Sequence, residues 1–119
     1  MIIKKAHKAI ISADGCILKE LLTKKDKAKY SVALAKLAPN KSSKPHKLKS
    51  SEAYFIIKGT GIMHIGKESR RVTQNQLIYI QPNSLQYIKN IGKTDLIFLC
   101  IVSPPWKKSD EVVFRGKSV

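Results

Sequence analysis

Between Tyr30 and Val102, glycine, proline and asparagine cut the chain into runs of about four to eight residues, which suit strands and are too short for packed helices. Tyr30 to Leu37 alternates loosely until Pro39-Asn40 breaks it, and Glu52 to Lys58 is rich in β-branched and aromatic residues. Gly59-Thr60-Gly61 turns the chain into Ile62 to Ile65, and Gly66-Lys67 turns it again. Gln76 to Ile80, Gln86 to Asn90 and Leu96 to Val102 supply three more strands, separated by Pro82-Asn83-Ser84 and by Asn90-Ile91-Gly92-Lys93. Many short strands joined by tight turns predict an all-β sandwich or barrel. Helix is expected only near the ends: Ser109 to Phe114 can make a turn, and Cys16 to Thr23 fits either helix or strand. With no internal repeat, linker or low-complexity tract, residues 1–119 read as a single domain, and 43% apolar residues are enough to fill its core.

The net charge of +15 raises nucleic acid as a partner, but 20 of the 23 basic residues are lysine and three are arginine, the residue that reads phosphates and bases with a bidentate fork. No helix-turn-helix, zinc-finger or base-stacking pattern accompanies the charge, so a nucleic-acid role is not expected and a lysine-rich solvated surface is. The charge is uneven. Residues 1–50 hold 13 Lys against Asp14, Glu20 and Asp26, a net +10. Lys41, Lys44, Lys47 and Lys49 surround His46, where they would steer an anionic small molecule. Met1-Ile2-Ile3 is interrupted at once by Lys4-Lys5, and Leu96 to Val102 is too short to span a bilayer, so no membrane partner and a cytoplasmic location are expected. Cys16 and Cys100 lack metal or redox spacing and read as buried thiols. His7, in a lysine-rich segment, and His64, between Met63 and Ile65, read as surface residues; Trp106, after Pro104-Pro105, reads as a seal at a barrel end or a contact between copies.

Alternation along a strand decides which side chains can meet. His46 and Leu48 share one face, as do Glu52, Tyr54 and Ile56, and as do Gln86, Ile88 and Asn90. The order Asn40, five residues, His46, Leu48, three residues, Glu52, six residues, Gly59 resembles the first motif of the cupin superfamily, in which a glycine leads and the second of two histidines stands where Leu48 does. Asn75, Gln81-Pro82-Asn83, Gln86 and Asn90 are similar to the second motif, with Asn75 at the leading glycine, Gln86 at the third histidine and Asn90 at the closing asparagine. The likeness covers residues 40–105, whose tail Asp95 to Pro105 is similar to the last strand of small single-domain cupins, some labelled mannose-6-phosphate-isomerase-like.

The resemblance implies a double-stranded β-helix, or jelly-roll, barrel with a degenerate metal motif. His46, Glu52 and Gln86 would be the metal ligands, and Leu48, Tyr54, Ile56, Met63 and Ile88 would join Gln86 in the pocket wall. One imidazole, one carboxylate and one amide oxygen are a poor set for zinc, iron, nickel or manganese, so a divalent metal is expected to bind weakly or not at all. Glu52 and His46 are the candidate catalytic pair, with or without metal. The functions implied are small-molecule binding, extending to a metal-assisted isomerase, epimerase, cyclase or dioxygenase on an anionic or sugar-like substrate, or a ligand-binding module that turns nothing over. A homodimer formed through otherwise exposed edge strands is the expected assembly.

Overall fold

The structure, a computed structural model, describes residues 1–114. Its strands are β1 (Ile10–Ile11), β2 (Ile17–Leu22), β3 (Ser31–Leu37), β4 (His46–Leu48), β5 (Ser51–Lys58), β6 (Thr60–Ile65), β7 (Glu68–Thr73), β8 (Leu77–Ile80), β9 (Gln86–Asn90), β10 (Leu96–Ser103) and β11 (Glu111–Val113). Single 3-10 turns lie at Lys24–Asp26 and Lys108–Asp110. The strands form two antiparallel sheets, one in the order β1-β2-β3-β10-β5-β8 and the other β11-β4-β9-β6-β7. Closed face to face, they make the jelly-roll barrel.

Alternation builds the core. On β10, Leu96, Phe98 and Val102 point inward and Ile97, Leu99 and Ile101 outward, while on β5 the inward set is Glu52, Tyr54 and Ile56. Tyr54 packs its ring on Phe98 at 4.7 Å between centroids, and Ile56, Ile80, Ile88 and Leu96 are wholly buried around them. Burying side chains of this size stabilises by about 1.5–3 kcal/mol each before chain entropy is charged against it.

The six strands foreseen between Tyr30 and Val102 are present, with boundaries within two residues. Cys16 to Thr23 resolves as a strand, β2, while Ser109 to Phe114 divides: Ser109 and Asp110 lie in the second 3-10 turn and Glu111 to Val113 form β11. Four asparagines do much of the turning and pinning. Asn40, Asn75 and Asn83 adopt φ of 66°, 70° and 62°, the left-handed region in which asparagine is the best tolerated substitute for glycine. Asn90, fully buried, donates through Nδ2 to the carbonyls of Leu37 and Thr94 and accepts from the Gly92 amide, tying β9 to the ends of β3 and the following turn. Gly59 has φ +97°, and a Cβ there would lie 2.9 Å from the Asp95 carbonyl oxygen, so only glycine fits. No helix among the described residues is long and apolar enough to cross a membrane.

Candidate functional site

β4 and β9 pair at one point, His46 opposite Gln86, and the two side chains enter the barrel beside Glu52 from β5. All three are buried: His46 and Gln86 are 1% exposed and Glu52 6%. Gln86 is the hub. Its Nε2 donates to Glu52 Oε1 at 3.0 Å, and its Oε1 accepts from the Tyr54 hydroxyl at 3.2 Å. Burial, reinforced by Glu52, holds the Tyr54 phenol well above its ordinary value, so it stays a donor. His46 Nδ1 lies 2.8 Å from the Lys44 carbonyl oxygen, an atom that only accepts, and this fixes the proton on Nδ1. Nε2 is left facing Asp14 Oδ2 at 3.6 Å.

These groups open on a cavity of about 300 Å³ at one end of the barrel, lined by the β1–β2 hairpin, by β3, β5 and β10, and by β11 across the mouth. Asp14 and Glu111 also face it. Asp14 stands at the tip of the hairpin, where its Oδ1 accepts from the Ser12 hydroxyl and from the Cys16 amide at 3.2 Å, and its own carbonyl accepts from the Lys44 amide at 2.6 Å. The hairpin is thus pinned onto the segment that carries His46. Glu52 is the most perturbed carboxyl. Burial pushes its pKa up to about 7 against the opposing pull of His46 and the Gln86 amide. Burial also raises Glu111, opposed by His46 and by the neighbouring Trp106. Cys16 and Cys100, both free thiols on the cavity wall, are raised by burial and so are not thiolates.

His46, Glu52 and Tyr54 lie on the cavity wall, and Gln86 stands directly behind Glu52. Leu48, Ile56 and Ile88 are buried in the packed body of the barrel, away from the lining, and Met63 faces a separate shallow groove with Arg70, Val72 and Ile78. Trp106 is on the cavity wall, with its backbone amide donating to the Ser31 hydroxyl at 2.9 Å. His64 is on the outer side of the barrel, stacked on Tyr87 at 4.1 Å, with Nδ1 2.7 Å from the Ser69 hydroxyl. Of Lys41, Lys44, Lys47 and Lys49 none lines the cavity; Lys47 Nζ instead lies over the Phe114 ring. Asp14 and Glu111 escaped the reading of the sequence. Asp14-Gly15 is a hairpin signal that could have located the β1–β2 turn, but nothing in the order of residues brings that turn to His46.

The donor set argues against a transition metal. Gln86 spends its amide oxygen on Tyr54 and its nitrogen on Glu52, Leu48 stands where a second imidazole would be needed, and no group of three His, Cys, Asp or Glu side chains among the described residues is arranged to hold an ion. What the arrangement can do is move protons. When Glu52 takes a proton it goes to Oε2, because Oε1 is committed to Gln86, and Oε2 is the oxygen left for the cavity.

The family model described as Cupin domain matches residues 33–102. An uncharacterized protein of Methanocaldococcus jannaschii is 35% identical over 111 residues, covering 91% of this chain and 89% of that protein. Among solved structures, one described as a predicted oxalate decarboxylase from Thermotoga maritima superposes with a TM-score of 0.76 at 24% identity, over 87% of this chain and 99% of that one. Ectoine synthase from P. lautus superposes with the same TM-score at 16% identity, over 100% and 94%. At these identities the two structures share the fold.

Proposed function

Because the chain belongs to the cupin family, whose barrels enclose their sites at the mouth, we propose that it binds a small molecule in the Glu52–His46 cavity and works without a metal, with Glu52 as the group that takes and returns the proton and His46 Nε2 beside it as a second polar contact for the ligand. The observation that carries this is a buried pair facing the cavity: Glu52 Oε2 has no hydrogen-bond partner among the described residues, His46 Nε2 has only Asp14 Oδ2 at 3.6 Å, and both side chains line the cavity. A carboxyl titrating near 7 suits proton transfer at neutral pH, where both of its forms are populated. The reaction class is proton transfer at carbon or oxygen, as in an isomerase or epimerase. A barrel that binds without turnover uses the same cavity.

The test incubates the untagged protein, with a chelator present, in D2O with a defined set of small sugars and keto acids. NMR follows saturation transfer for binding and loss of carbon-bound proton signal for turnover. The reading predicts binding in the presence of chelator, and exchange slowed by about a hundredfold or more in Glu52→Gln. Binding with no exchange would leave the non-catalytic module, and activity that appears only on adding a divalent metal would overturn the metal-free reading.

A second copy of the chain is the proposed partner. The outer face of the six-stranded sheet carries Leu34, Phe55, Leu77, Tyr79, Leu99 and Ile101 together with Lys19, Lys36 and Lys58, whereas the outer face of the other sheet carries Lys47, His64, Arg71 and Lys89 with Ile62 and Tyr87. Six strands about 4.8 Å apart, from two to eight residues long, present roughly 550 Å² in projection, and side-chain relief brings this toward the ~800 Å² per partner of a stable interface. The sheet face, more than the edge strands, supports this assembly.

A further inference from the structure

The charge lining the cavity is opposite to the charge of the chain. In a protein of net +15, the cavity wall carries Asp14, Glu20, Glu52 and Glu111, and among the described lining residues Lys108 is the only lysine or arginine. Three strands and a hairpin loop contribute these carboxylates separately, so they are brought together by the fold and not by a run of acidic sequence. One of them is held as a receiver. Glu52 is 6% exposed, uses Oε1 for Gln86, and aims Oε2 into the cavity with no partner among the described residues. Since no buried side-chain nitrogen or oxygen among the described residues lacks a partner, this oxygen is open to the cavity, where a ligand's N–H groups can replace water on it.

Resting on the small-molecule reading above, we propose that the cavity selects a small organic cation, a molecule carrying a primary or secondary ammonium group. Its N–H groups are received by Glu52 Oε2 and by Asp14, and its carbon skeleton lies against Leu18, Phe98, Val102 and Trp106. The room fits. At about 30 Å³ of liquid volume per water, 300 Å³ corresponds to roughly ten waters, enough for a chain of several carbons with one or two nitrogens. An anion is disfavoured by the same lining, because its oxygens would meet four carboxyl side chains with Lys108 as the one lysine or arginine among the described lining residues. The lysine-covered exterior makes the idea sharply testable. It repels cations, so a saturable cation effect at about 0.15 M salt has to arise inside.

The experiment takes the untagged full chain at a pH of about 8, where Glu52 is ionised, and measures melting temperature and calorimetric affinity with three probes of matched length, 1,4-diaminobutane, 1,4-butanediol and succinate. The expected result is a saturable rise in melting temperature with the diamine. Its affinity falls about tenfold or more in Glu52→Gln, falls also in Asp14→Asn, and weakens in the natural chain as pH drops through about 7. Asp14, Glu20, His46, Tyr54, Lys108 and Glu111 face the same space, and the two single variants separate Glu52 from them. If the diol or succinate binds as tightly and with the same dependence on Glu52, the cavity binds ligands but the cationic class is wrong. If no probe gives a shift that Glu52→Gln removes, the cationic class is overturned too, while the exchange experiment in D2O still decides the broader reading.

Discussion

At Glu52 two demands oppose each other. Burial disfavours the charged carboxylate, the Gln86 amide and His46 favour it, and burial wins by enough to move the pKa from 4.5 to about 7. The folded state therefore holds a proton that the unfolded chain has already lost between those two values. Its contribution to stability is fully present below about 4.5 and is lost as pH rises through about 7, by roughly 3 kcal/mol in all. Glu52→Gln keeps the shape and removes the titration. Urea unfolding should show the variant gaining on the natural chain from a pH of about 5 upward, levelling off above about 7 at a difference of that order; a difference independent of pH would mean that Glu52 is not titrating from a buried site. Gln86→Leu acts on the same balance from the other side. It removes the hydrogen bond that lowers the Glu52 pKa and orphans the Tyr54 hydroxyl, so NMR titration should find Glu52 higher still, with stability down by about 1–3 kcal/mol.

At the scale of elements, the turns explain how much of the fold was legible. Asn40 and Asn75 occupy places where the cupin motifs have glycine, and both have positive φ, as Asn83 does, so the glycine pattern was present in a different residue with the same backbone tolerance. Asn75 is exposed, which isolates the backbone effect. Asn75→Gly should leave stability within about 0.5 kcal/mol, and Asn75→Val should cost about 1–2 kcal/mol by denaturant unfolding, since a β-branched side chain resists φ of 70°. Equal effects of the two would show that the turn does not depend on its left-handed residue. The core strands were legible because period-two alternation with β-branched residues has one plain meaning. β7 was not, since Glu68-Ser69-Arg70-Arg71 is an edge strand with little to bury. Half of the site was legible for the same reason. His46, Glu52, Tyr54 and Gln86 follow from strand parity read together with the resemblance to the cupin motifs, whereas Asp14 and Glu111 join them only through long-range pairing of the β1–β2 hairpin over the Lys44–His46 segment and of β11 with β4. Sequence order carries no signal of that kind.

For the whole molecule, exterior and cavity differ in charge. Most lysines are exposed, the outer face of the six-stranded sheet sets an apolar strip beside Lys19, Lys36 and Lys58, and the cavity is acidic. Light scattering on the eluting protein should report a dimer at micromolar concentration. Placing lysines at the cross-strand pair Phe55 and Leu77 should give a folded monomer, and a natural chain that runs as a monomer would remove the apolar face as an interface. The central claim is that hydrogen bonds among Tyr54, Gln86 and Glu52, and not a bound ion, organise the interior site. Elemental analysis of the untagged protein after desalting tests it most directly. The account predicts zinc, iron, nickel and manganese each far below one per chain; close to one metal per chain, lost in His46→Ala, would contradict it.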